Sequence, residues 1–144
     1  MNKLNIGCGP ESRWIKDTDG LDMIDFGQLY VASIEEFVPE KLYEFIYIHH
    51  VVEHVTNQIE LFNKLSNMLD VNGVLDIRVS TMPFSQAFQD PTHVKYIPQR
   101  VIDYFRYFTI ESAAGHCYID NPLEIQHIEN DRFEWEAHII MRKP

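Results

Sequence analysis

Residues 43–80 carry a strand, a helix and a second strand in immediate succession, and that arrangement leaves few folds open. Residues 43–49 are a compact apolar and aromatic run with EFIYIH at its centre, the pattern of a strand buried on both faces. Over residues 55–69, Ile59, Leu61, Phe62, Leu65, Met68 and Leu69 recur close to helical spacing, and the pattern stops at Asn72-Gly73. Residues 74–80 then read as a strand again. Two strands joined through a helix belong to a parallel sheet, and such a sheet needs cover on its faces.

The rest of the chain extends the alternation. Residues 3–6 form a short strand that runs into Gly7-Cys8-Gly9-Pro10, where glycine permits positive φ and close backbone approach. Residues 20–24 and 28–32 read as a second and a third short strand. Pro98 suits the first turn of a helix reaching Tyr107, and residues 123–129 and 132–141 read as two strands joined at Asn130-Asp131 in a hairpin. The expected architecture is α/β, a three-layer sandwich whose sheet is mostly parallel and ends in a C-terminal antiparallel hairpin. With 144 residues, 45 % of them hydrophobic, residues 1–144 are expected to form a single domain around one core. Residues 81–97 are long, proline-punctuated and aperiodic, which marks a loop that serves a site. They are expected to form a mobile flap.

Charge and cysteine usage narrow the partners. A formal charge of −10 and a pI near 5.0 repel phosphate backbones, and no Lys/Arg cluster offsets them, so no nucleic-acid partner is expected. No apolar run approaches ~20 residues, and Met1-Asn2-Lys3-Leu4 opens no signal peptide, so no membrane partner is expected and the default compartment is cytoplasmic. Cys8 and Cys117 have neither metal-site nor redox-pair spacing and read as reduced thiols.

In open α/β sheets ligands sit outside the carboxyl ends of the strands, so the residues that follow each strand carry the chemistry. Gly7-Cys8-Gly9 after the first strand and Asp22 at the end of the second suit a nucleoside-type ligand. The glycines let backbone touch the ligand, and the carboxylate accepts ribose hydroxyls. A tight turn without a ligand explains Gly-x-Gly as well. About a dozen residues separate Gly9 from Asp22, whereas a dinucleotide fold expects its acid roughly 20 positions on, so NAD and FAD fit less well.

Four segments in order, Leu4-Asn5-Ile6-Gly7-Cys8-Gly9-Pro10, Gly20-Leu21-Asp22, His50-Val51-Val52-Glu53-His54-Val55 and Asn72-Gly73-Val74-Leu75, make the chain resemble the compact branch of the class I, Rossmann-like S-adenosylmethionine-dependent methyltransferases. The similarity covers residues 4–80, with a weaker echo in Asp90-Pro91-Thr92-His93 and the closing hairpin. It implies S-adenosylmethionine as cofactor, with Gly7 and Gly9 against its methionine and ribose and Asp22 on the ribose diol. Asn5, Cys8 and Met23 lie beside these residues, while Ser33 and Ile34 would meet the adenine and His49 and His50 the region of the transferred methyl. Where the family often has an acid after the third strand, this chain offers Ser33, and the segment after Gly9 is short.

His50-Val51-Val52-Glu53-His54 also spells H-x-x-E-H, which within a helix can bind zinc. Here it follows a strand directly and has no evident third ligand, so no metal is expected. A methyl acceptor must be aligned and, for a hydroxyl or protonated amine, deprotonated, a task suited to histidine. His50 and His93 are the candidates, with Asp90 as orienter; a role for His93 in merely pinning its loop stays open. The absence of Asn-Pro-Pro-Tyr or Asp-Pro-Pro-Tyr disfavours base methylation by resemblance, and the aromatic run 104–108 packs a core or lines an acceptor pocket. The expected function is methyl transfer to a small molecule or a protein-presented group. A non-catalytic S-adenosylmethionine-binding module is the rival reading and a zinc hydrolase the third.

Overall fold

The structure, a computed structural model, describes residues 1–81, 87, 89–112, 114–130 and 136–144. Its strands are β1 (Lys3–Ile6), β2 (Asp19–Asp22), β3 (Tyr30–Val31), β4 (Tyr43–His49), β5 (Leu69–Ser80), β6 (Glu124–Asn130) and β7 (Glu136–Arg142). Helix α1 (Gln58–Met68) joins β4 to β5, and the four-residue helix α2 (Ile102–Phe105) lies between β5 and β6. The strands form one seven-stranded sheet in the order β3-β2-β1-β4-β5-β7-β6. β1 to β5 run parallel, and β7 is antiparallel to both β5 and β6. The expected hairpin is therefore present, while its tip at 131–135 falls outside the described residues, as do 82–86 and Phe88 of the expected flap.

Register explains the core. Leu4, Ile46, Leu75 and Met141 are consecutive partners across four strands, as are Ile6, Ile48, Ile77 and Ile139, and all eight are buried. Right-handed crossovers place the connections around α1 and α2 on this face, where Phe62 of α1 stacks on Phe108 at 4.1 Å and meets Phe105 of α2 edge-on at 5.8 Å. The same rule sends residues 7–18 and 23–29 to the opposite face. They are too short for full helices, and the only helical element among their described residues is the 3-10 turn Glu11–Arg13. Phe45, Tyr47 and His49 consequently stay half-buried rather than enclosed, which departs from a β4 buried on both faces. The third layer of the sandwich is thus one turn and two short connections.

Candidate functional site

The chain leaves β1 toward β2 on one face and β4 toward β5 on the other, so a crevice opens at the carboxyl ends of β1, β2 and β4. A cleft of about 660 Å³ occupies this place. Its floor is the turn after β1, where Gly7 and Gly9 have φ of +70° and +63°. The amides of Gly7 and Cys8 donate to the Leu21 carbonyl at 2.7 and 3.2 Å, and the Trp14 indole donates to the Gly9 carbonyl at 2.7 Å. Asp22, at the end of β2, accepts the Gly9 amide on Oδ2 at 2.9 Å and the Ile24 amide on Oδ1 at 3.0 Å. Each carboxylate oxygen retains acceptor capacity for a ligand. Burial, and then the Asp22 charge, raise the Cys8 thiol above its ordinary value, so it remains an uncharged lining group.

Asn5, Gly7, Cys8, Gly9, Asp22, Met23, Ile34, His49 and His50 all line the cleft. Ser33 does not: its Oγ accepts the Glu36 amide at 3.2 Å and its carbonyl the Phe37 amide at 2.9 Å, so it closes the turn that follows β3. The acid of this region is Glu35, which lines the cleft two residues further on. His49 is committed to Asp76, at 2.8 Å, and His138 approaches the same oxygen at 2.9 Å. Burial pushes the Asp76 carboxyl up, but the hydrogen bonds from the two imidazoles outweigh it and the net shift is downward.

His50 lies directly after β4 with φ of +57°, its amide bonded to the Arg78 carbonyl at 2.8 Å. Its Nε2 meets Glu136 Oε1 at 2.8 Å and its Nδ1 lies 3.6 Å from Glu53 Oε2. Glu53 is buried and also accepts the Ser80 amide at 3.0 Å. The Glu53 carboxylate beside it raises the His50 pKa, burial opposes this, and Glu136 adds to the rise. The H-x-x-E-H segment contains a three-residue 3-10 turn, Val52–His54, so the two imidazoles do not share a helix face. His54 turns instead to Thr92, with Nδ1 at 2.8 Å from Oγ1. His93 and Asp90 are not lining residues of the cleft: His93 sits behind His54, ring centroids 4.7 Å apart and nearly perpendicular, with Asp90 3.7 Å from its Nε2.

No family model matches the sequence, and no curated protein matches it. Solved structures do match in shape. N-methyltransferase NodS from Bradyrhizobium japonicum WM9 in complex with S-adenosyl-l-homocysteine superposes with a TM-score of 0.67 at 14 % identity, over 99 % of this chain and 78 % of that one. The plantazolicin methyltransferase BpumL, in complex with a triazolic desmethylPZN analog and SAH, gives 0.68 at 15 % identity, over 99 % and 76 %. A SAM-dependent methyltransferase from Archaeoglobus fulgidus gives 0.62 at 18 % identity, over 99 % and 86 %. The chain has the class I methyltransferase fold.

Within this methyltransferase fold, sequence reasoning missed Arg13, Ile24, Phe26, Glu35 and His54 among the cleft-lining residues. Glu35 was within reach, because a carboxylate shortly after a short third strand is the expected position allowing for a shifted strand end. Arg13, Ile24 and Phe26 sit in connections without periodicity, where no local pattern says which side chain turns inward. Among the described residues, no helix is long and apolar enough to cross a membrane.

Proposed function

We propose that this chain is a cytoplasmic, single-domain S-adenosylmethionine-dependent methyltransferase acting on a small molecule or on a group presented by a partner protein. The observation that carries the reading is the Asp22 carboxylate at the rim of a 660 Å³ cleft floored by two positive-φ glycines. That volume suits a ligand of nucleoside size. The lining supports the same fit: Ile24, Phe26 and Ile34 offer an apolar berth for a base, Asp22 two acceptor oxygens for a diol, and Arg13 a cation for a carboxylate. Glu35 is the proposed partner of an exocyclic amine, in place of Ser33. NodS and BpumL, which share the fold, are both described with bound S-adenosylhomocysteine.

When bound, S-adenosylmethionine supplies a methyl group on a cationic sulfur that needs no further activation. What remains for the protein is alignment of the acceptor and removal of its proton. His50 is the proposed base, because it lines the cleft and Glu53 and Glu136 stabilise its protonated form. His93, separated from the cleft by His54, is proposed to act on the loop rather than on the acceptor, with Asp90 beside it. Calorimetric titration with S-adenosylmethionine and S-adenosylhomocysteine, followed by labelled methyl transfer into fractionated host extract, tests the proposal. Saturable binding with transfer supports it; binding without transfer reduces it to a binding module, and no binding of either ligand overturns it.

A further inference from the structure

On the His54 side of the cleft, three donor groups from two separate segments converge. His54 ends the short turn after β4, and Asp90 and His93 belong to the loop that follows β5. One ligand atom from each lies within 4.8 Å of the other two. Main chain holds the segments together: the amides of Val94 and Lys95 both donate to the Glu53 carbonyl, at 2.8 and 3.0 Å. The convergence is thus set by backbone next to a buried residue, not by a meeting of free surface side chains.

The hydrogen bonds assign the imidazole tautomers. Thr92 Oγ1 lies 2.6 Å from Asp90 Oδ1, which can only accept, so the hydroxyl proton is spent there. His54 Nδ1 meets that same Oγ1 at 2.8 Å and the Thr92 carbonyl at 3.2 Å, and must therefore be the donor. His93 Nδ1 faces the Ala87 carbonyl at 3.0 Å and donates to it. In the neutral rings both Nε2 atoms are left with a lone pair, the outer-atom arrangement typical of metal-ligating histidine. Between His93 Nε2 and Asp90 Oδ2 the distance is 3.7 Å, too long for a hydrogen bond. An ion bound at about 2.1 Å to each donor would set them roughly 3.4 Å apart in tetrahedral geometry.

We propose that His54, Asp90 and His93 form a binding site for one first-row divalent metal ion of the zinc or cobalt type. Two imidazoles and a carboxylate match the donor preference of such ions rather than of magnesium or calcium. Three protein ligands leave a coordination position open, which water would fill. His50, the other histidine of the H-x-x-E-H segment, is engaged by Glu53 and Glu136 and takes no part.

The test needs no cofactor, so its outcome is independent of the methyltransferase reading. The full chain is stripped with a chelator and titrated with Co²⁺, followed by visible absorption, and with Zn²⁺, followed by calorimetry. One ion per chain with micromolar or tighter affinity is expected. His54→Ala and His93→Ala should each weaken it by about 100-fold and Asp90→Asn by about tenfold, on the scale that ligand-shell changes reach. His127→Ala, exposed on β6, should leave it unchanged. Circular dichroism of each variant separates a lost ligand from a lost fold. Should the histidine variants fail to fold, the wild-type stoichiometry and Asp90→Asn decide. Wild-type protein that takes up neither ion at millimolar concentration overturns the proposal, and so does uptake that is unaffected by Asp90→Asn and His93→Ala.

Discussion

Asp22 both orders the turn after β1 and remains open to a ligand, since its two oxygens take the Gly9 and Ile24 amides yet keep acceptor capacity. Asp22→Asn keeps the shape but loses the charge, and S-adenosylhomocysteine should bind roughly 10- to 100-fold more weakly, the loss of a charge-assisted hydrogen bond. Calorimetry that finds equal affinities would remove Asp22 from the site. His50 and Glu53 make a second residue-scale prediction. Folding raises the His50 pKa, chiefly through the Glu53 carboxylate 3.6 Å away, so its stabilising share is complete below the unfolded value near 6.5 and fades as pH climbs through the folded value. Burial pushes the Glu53 pKa up, but His50 and the Ser80 amide outweigh it and the net shift is downward. Its share is therefore complete above about 4.3 and fades as pH falls through the lower folded value. The pair contributes most between about pH 4.5 and 6.5. His50→Gln should depress Tm most within that window and progressively less toward pH 9; a gap that is flat with pH would contradict the pairing.

At the scale of elements, apolar periodicity places the start of α1 at residue 55, whereas the helix begins at Gln58. The competing interaction is a cap: Asn57 accepts the Glu60 amide at 3.1 Å and donates to the Glu60 carboxylate at 3.2 Å, while Val52–His54 closes a separate 3-10 turn. Asn57→Ala should cost about 1 kcal/mol in chemical denaturation, and a cost near zero would deny the cap its role. The turn after β1 is packed as tightly as it is bent. A Cβ on Gly7 would collide with Val51 Cγ2, at a φ of +70°. Gly7→Ala is expected to destabilise by upward of about 2 kcal/mol, from overpacking plus a left-handed backbone. Adding Val51→Ala relieves the clash but not the backbone cost, so the double variant should fall between Gly7→Ala and Val51→Ala corrected for its own cavity. A double variant as unstable as the sum of the singles would place the strain elsewhere.

For the molecule as a whole, a ligand that binds only the folded chain shifts the unfolding equilibrium. S-adenosylhomocysteine at about 100 times its dissociation constant should add about 2.7 kcal/mol, read as a rise of several degrees in Tm by scanning calorimetry, with a smaller rise in Asp22→Asn at the same concentration. No rise in the wild-type protein would speak against the cleft as its site. The sequence by itself determined the strand and helix order, the parallel sheet with its closing hairpin, and the line of Gly7, Gly9 and Asp22 along the cleft. These depend on periodicity, turn chemistry and strand ends, which neighbouring residues set. It also led to the class I methyltransferase fold through the order of short motifs. Only the tertiary structure decided that Ser33 closes a turn while Glu35 enters the cleft, that His50 pairs with Glu136, 86 positions away, and that His54 meets Thr92 across 38 positions. Those partners are chosen by sheet register and by single backbone hydrogen bonds, such as the two that Val94 and Lys95 give to the Glu53 carbonyl. Neither leaves a local pattern in the chain, because register is settled by packing across strands rather than along them.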